Sequence, residues 1–66
     1  MVKSEIGHAA GKIWHYLHDH GETSMARLKK ELGLHPDLVL KGIGWLARED
    51  KVEFVKKASV LLVKLK

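Results

Sequence analysis

Apolar positions along the chain follow two periods. Between Ser4 and His20, Ile6, Ala9, Ala10, Ile13, Trp14 and Leu17 recur at spacings of three and four, which draws one apolar stripe along a helix. Ser4 is placed to cap its start. Gly21 fits just past its end, where a left-handed residue closes a helix. A second helix is expected from about Ser24 to Leu32, capped by Thr23 or Ser24. Met25, Leu28 and Leu32 form its buried face, and Arg27, Lys29 and Lys30 are left outside. Gly33 supplies a tight turn, and Pro36 suits the first turn of a third helix that extends to about Glu49. Then the period changes. "KVEFVK" and "SVLLVKL" are rich in β-branched and apolar residues and are separated by a short polar turn near Lys57, Ala58 and Ser59, which predicts a two-stranded antiparallel hairpin.

The 66 residues are enough for one domain, and that domain is expected to span 1–66. The fold class is α+β, three helices followed by a hairpin. A short helix, a glycine-containing turn and a second helix are the ingredients of a helix-turn-helix. A hairpin directly after them makes the winged variety. The core-type residues Val39, Ile43, Leu46 and Val52, which follow Leu32-Gly33-Leu34, match that rhythm.

The chain also resembles a small prokaryotic winged helix-turn-helix family catalogued as a domain of unknown function. The resemblance rests on "IGHAAGKIWHYL" in the first helix, "LKKELGL" before the turn and "GWLAREDKVEF" at the wing, together about Ile6 to Phe54. Its most specific element is the string Gly44-Trp45-Leu46-Ala47-Arg48. The resemblance implies the winged-helix fold and, through the fold, DNA binding.

The third helix is an unusual reader of bases. With Val39, Ile43, Leu46 and Ala47 toward the core, Leu38, Lys41, Gly42 and Trp45 fall on a neighbouring, more exposed stripe, with Leu40 and Gly44 on the other flank. Direct readout needs bidentate donors or acceptors, each worth about 1–3 kcal/mol. Only Lys41 offers a strong donor in mid-helix. His35 either contacts DNA or belongs to the helix cap, and Asp37 complements the helix dipole. Arg48 stands near the helix end, where it meets phosphate or complements the C-terminal dipole. Gly42 and Gly44 each cost about 1 kcal/mol against alanine, so a close approach is expected there. Trp45 is either a core residue packed on the first helix or part of an interface, and Trp14 is expected in the core by its helical phase.

Charge extends the picture. Twelve Lys and Arg against eight Asp and Glu leave +4, which permits phosphate binding and also serves solubility. The expected DNA contacts are Arg27, Lys29, Lys30, His35, Lys41, Arg48, Lys56 and Lys57, with Lys51, Lys64 and Lys66 adding to the wing. The alternative is a protein-interaction or homodimerisation surface made of Leu38, Leu40 and Trp45. Partners are therefore double-stranded DNA, a protein or a second copy.

Other chemistries find little support. The sequence has no cysteine, so no disulfide or thiolate metal site is expected. His15, His18 and Asp19 share one side of the first helix with His8, but no metal-binding pattern accompanies them, and an exposed histidine face is expected. No nucleophile and base are arranged for catalysis, so neither an enzyme nor a cofactor is expected. The opening stretch has no long apolar run for a secretory leader, and the run Val60 to Val63 is too short to cross a bilayer. The expectation is a cytoplasmic protein.

Overall fold

Packing begins with α1 (Val2–His20), whose stripe of Ala9, Ala10, Ile13 and Leu17 is buried. The computed structural model describes residues 2–66, with side chains from residue 5 onward. Because α1 already runs from Val2, Ser4 lies inside its first turn rather than at its cap. At the other end the Gly21 N–H donates to the Leu17 carbonyl at 2.8 Å, with Gly21 at φ +79°. This is the left-handed closure the sequence predicts.

Next comes β1 (Thr23–Ser24), a two-residue strand, then α2 (Met25–Glu31). Ser24 is the cap of α2, its Oγ accepting from the Arg27 N–H at 3.1 Å. Thr23 is instead buried, and its hydroxyl donates to the Gly21 carbonyl at 2.8 Å. Leu28 is fully buried, whereas Met25 and Leu32 pack partly buried around it. The remaining elements are α3 (Pro36–Arg48), β2 (Val52–Lys57) and β3 (Val60–Leu65).

The hairpin pairs Val52 with Leu65 through to Lys57 with Val60, leaving Ala58 and Ser59 as a two-residue loop. The expected two-stranded hairpin is thus part of a three-stranded antiparallel sheet in the order β1-β3-β2. β1 pairs Thr23 with Val63 and Ser24 with Leu62. Along the hairpin, alternate residues face the helices. Val52 and Val63 are buried on that face, while Phe54 and Leu61, nearer the tip, remain 46% and 42% exposed. Ile13, Leu17, Leu28, Val39 and Val63 form the fully buried centre, so both ends of the chain and all three helices contribute to one core.

The tightest contact is between α1 and α3, at Gly42. It is buried, not on the exposed stripe its phase suggested. A Cβ built there would lie 2.8 Å from Ile13 Cδ1, 3.1 Å from the Ala10 amide nitrogen and 3.2 Å from the Ala9 carbonyl carbon. Two of those neighbours are backbone, which cannot rotate away. Glycine here lets α3 settle onto the α1 backbone, as the pair of small residues Ala9 and Ala10 opposite also requires. A Cβ at Gly44, by contrast, would meet nothing within 4 Å, so no neighbour explains that glycine.

Gly42→Ala is expected to lower stability by about 1–3 kcal/mol through overpacking, and Gly44→Ala to raise it by about 1 kcal/mol through helix propensity. Urea unfolding of the two variants measures both; signs opposite to these would place the close contact elsewhere. Ala58 sits at φ +55°, a left-handed conformation costly for a residue with a Cβ. Ala58→Gly is therefore expected to stabilise the hairpin by about 0.5–1 kcal/mol, visible as a higher melting temperature.

Candidate nucleic-acid interface

The first candidate contact residue, His35, is held by the helix it precedes. Its Nδ1 accepts from the Asp37 N–H at 3.2 Å, and its carbonyl accepts from Leu38 at 2.9 Å and Val39 at 3.1 Å. His35 thus caps α3 with its side chain, and Pro36 occupies the first helical position, where no N–H is needed. The far end of α3 closes on itself. The Lys51 N–H donates to the Leu46 carbonyl at 2.9 Å, and the Asp50 N–H to the Ala47 carbonyl at 3.0 Å. Asp50, at φ +60°, takes the place glycine usually fills in this Schellman closure. The chain turns there directly into β2.

Between these ends, Val39, Gly42, Ile43 and Leu46 are buried, which fixes the opposite side as the outward one. Asp37, Lys41, Gly44 and Arg48 lie along it at intervals of four, three and four and are all exposed. Lys41 therefore stands with Gly44 and Arg48 on the outward ridge, and Gly42 lies across the helix from them. The ridge presents a carboxylate near its start, two cations further along, and bare backbone at Gly44.

Carboxylates divide the remaining cations. On the wing, Lys51 pairs with Glu49 at 3.4 Å, Lys57 with Glu22 at 3.4 Å and Lys64 with Glu53 at 3.3 Å. Lys66 pairs with Asp50, whose carboxylate raises the lysine's pKa above its ordinary value by hydrogen bonding and by charge. Arg27, Lys29, Lys30, Lys41, Arg48 and Lys56 have no ion-pair partner within 4.0 Å among the described residues. Of the eight expected DNA contacts, then, His35 serves as a cap, Lys57 carries a partner, and these six stand open to an external anion.

With helix, turn, helix and wing in place, comparison with known proteins settles the kinship. The family described as "Winged helix-turn-helix domain (DUF2582)" matches residues 1–65. The chain belongs to this family. A similar protein, "Uncharacterized protein MJ1608" of Methanocaldococcus jannaschii, is 43% identical over 65 residues, covering 94% of this chain and 91% of its own. The solution NMR structure of protein BT2368 from Bacteroides thetaiotaomicron has the same fold. It superposes with a TM-score of 0.87 at 32% identity, over 98% of this chain and 79% of that one.

In this winged helix the apolar residues of α3 do not form one patch. Leu40 is 48% exposed on one flank of the outward ridge. Leu38 and Trp45 are half-buried on the other flank, with the ridge between. Trp45 packs partly buried against the core. It lines a shallow groove of about 240 Å³ with Gly7, Gly11 and Trp14 from α1, on the side of α3 away from Leu40. Trp14 is likewise at the margin rather than in the centre, its ring stacked on His18 at 5.1 Å and edge-on to His15 at 5.3 Å. Tyr16 stacks on His20 at 4.2 Å. His15, His18 and His20 of α1 thus lie against aromatic rings. Among the described residues, no three His, Asp or Glu side chains are grouped to hold a metal ion. No described helix is long and apolar enough to cross a membrane.

Sequence patterns missed two features of this surface. One is the ion pair of Lys57 with Glu22, whose partners are 35 positions apart. The other is a groove between α2 and the wing tip, whose walls come from elements that show no shared pattern. As a check on the cap, His35→Ala is expected to cost about 0.5–2 kcal/mol of stability and His35→Asn nearly nothing, since asparagine can accept the same N–H. Denaturation midpoints of the pair distinguish a capping histidine from an unattached one.

Proposed function

We propose that this winged helix is a cytoplasmic protein that binds double-stranded DNA chiefly through its phosphates, with little discrimination among sequences. The observation that carries the reading is the division of charge. Among the described residues, six cations on α2, α3 and the wing are left without carboxylate partners, and four other wing lysines are paired. Unpaired surface cations that neutralise phosphates gain affinity by releasing condensed counterions. Arg27, Lys29 and Lys30 come from α2, Lys41 and Arg48 from the outward ridge of α3, and Lys56 from the wing.

Weak sequence preference follows from the same ridge. Gly44 contributes no side chain at its middle, and Asp37 at its start repels phosphate. Lys41 is the one mid-helix donor available for a base edge. The bare backbone at Gly44 would let the helix sit deep, which favours contact with the sugar-phosphate walls over a code of paired hydrogen bonds.

The alternative, an interaction surface of Leu38, Leu40 and Trp45, is favoured only by the exposure of Leu40, since the other two lie across the helix from it.

The test is a fluorescence titration of unrelated duplexes at several salt concentrations. Affinity is expected to fall linearly on a log–log plot and to differ little between sequences. The double variant Lys41→Ala/Arg48→Ala should weaken binding of all duplexes alike and lower the slope by about 1.8, near 0.9 for each phosphate left without its cation. A slope unchanged by the substitutions would remove α3 from the interface. No binding even at low salt would remove DNA.

A further inference from the structure

β2 is an open edge of the sheet. In the order β1-β3-β2 it has a neighbour on one side only. The Lys66 N–H donates to the Lys51 carbonyl at 3.1 Å, which makes these two residues a hydrogen-bonded pair at the base of the hairpin. Bonded pairs alternate along an antiparallel ladder, so the next are Glu53 with Lys64, Val55 with Leu62 and Lys57 with Val60. The N–H and C=O groups of Val52, Phe54 and Lys56 therefore point away from β3, toward the open edge. Among the described residues, no backbone group bonds to them there.

The side chains along this edge complement one another. Glu53, Val55 and Lys57 alternate on the face away from the helices, with Phe54 and Lys56 on the face toward them. Laid antiparallel against a second copy of itself about Val55, the strand sets Glu53 opposite Lys57 and Phe54 opposite Lys56. Each pair occurs twice, with the two Val55 side chains between them. In that register Phe54 and Lys56, whose backbone groups point outward, are the residues that exchange hydrogen bonds across the join. A centre one residue earlier would set Glu53 against Val55, and one residue later would set Lys56 against Lys56. Lysines on an edge strand ordinarily keep a second edge away. Here each would meet a carboxylate or an aromatic ring instead, and Phe54, 46% exposed, would gain cover that it lacks within the single chain.

We propose that two copies of this chain pair through β2, antiparallel about Val55, to make one continuous sheet. Because residues opposite each other share a face, the helices of both copies lie on the same side of it. The backbone groups of Phe54 and Lys56 supply the bonds, and Glu53 facing Lys57 of the second copy fixes the register. Within the single chain Lys57 lies beside Glu22 and Glu53 beside Lys64, but such exposed pairs contribute little and exchange partners at small cost. One strand pair is a small contact compared with the about 1,200–2,000 Å² buried in stable complexes, so the dimer forms and dissociates with protein concentration. Of the unpaired cations assigned to phosphate only Lys56 lies in this edge, and the pairing holds whether or not α2 and α3 bind DNA.

The test uses the full, isotopically labelled chain, followed by NMR from micromolar to millimolar concentration. Hydrogen exchange at Phe54 and Lys56 should slow as concentration rises, while Glu53 and Val55, already bonded to β3, should change far less. A mixture of labelled and unlabelled chains should show contacts between Phe54 of one copy and Lys56 of the other. Glu53→Lys alone and Lys57→Glu alone should each raise the dissociation constant of the dimer about tenfold, because like charges then face each other. Mixing the two variants, or joining both substitutions in one chain, should restore association, and Lys12→Glu on α1 should leave it unchanged. If the variants fail to fold, the alternation of exchange rates along β2 of the unaltered chain decides the matter. A chain that stays monomeric at millimolar concentration would overturn the proposal, as would a charge swap that folds without restoring association. Concentration-dependent shifts at Leu38, Leu40 and Trp45 instead would move the contact to α3 and overturn it too. Equal protection of Phe54 and Lys56 by an unrelated extended peptide would assign the edge to foreign strands, with the same consequence.

Discussion

The close approach of α3 to α1 at Gly42 governs the rest of the molecule. The missing Cβ lets α3 lie against the backbone of Ala9 and Ala10, and that depth brings Ile43 and Leu46 into the core with Ile13 and Leu17. A chain of 66 residues buries only about 60% of its unfolded surface, so one extra layer of separation would be hard to replace elsewhere. The same contact sets which way α3 faces outward. With Gly42 and Ile43 seated on α1, Asp37, Lys41, Gly44 and Arg48 are turned to solvent, and the character of the exposed ridge follows from a packing constraint on the opposite side.

Charge on the wing and charge on the helices play different parts. Lys51, Lys57, Lys64 and Lys66 each lie beside a carboxylate, and such exposed pairs contribute little to stability. Their effect is chiefly to neutralise the base and tip of the hairpin. Among the described residues, most of the cations left unpaired stand on α2 and α3, with Lys56 on the wing and Lys12 on α1. A surface of this kind attracts polyanions without a dense array of donors and is sensitive to ionic strength.

Much of this fold can be read in the sequence because its helices obey a single period. The stripe from Ile6 to Leu17 locates α1, and Gly21, Gly33 and Pro36 mark the boundaries of the helices. The family resemblance carried by Gly44 to Arg48 points to the same winged helix. Less legible are the features that depend on meeting partners. Gly42 carries no hydrophobicity of its own, so phase alone leaves it beside the exposed residues, whereas its burial depends on Ala9 and Ala10 in another helix. β1 is too short to show an alternation, and its existence depends on Leu62 and Val63 arriving from the far end of the chain. The candidate interface is similarly half-visible: the cations can be named, but which of them already have carboxylate partners is decided by the tertiary structure.

Asp50 joins several of these parts. It supplies the left-handed residue that ends α3, and its carboxylate meets Lys66 just past the end of β3, while the Lys66 N–H donates to the Lys51 carbonyl at 3.1 Å. Helix end, wing start and wing end are therefore fastened at one corner, with no linker between α3 and β2 in which a hinge could form. The hairpin and the ridge thus both spring from this one corner. On the proposed reading, a duplex gripped by both would be gauged by the width of its groove, which would confine what sequence preference there is to the shape of the DNA rather than its base edges.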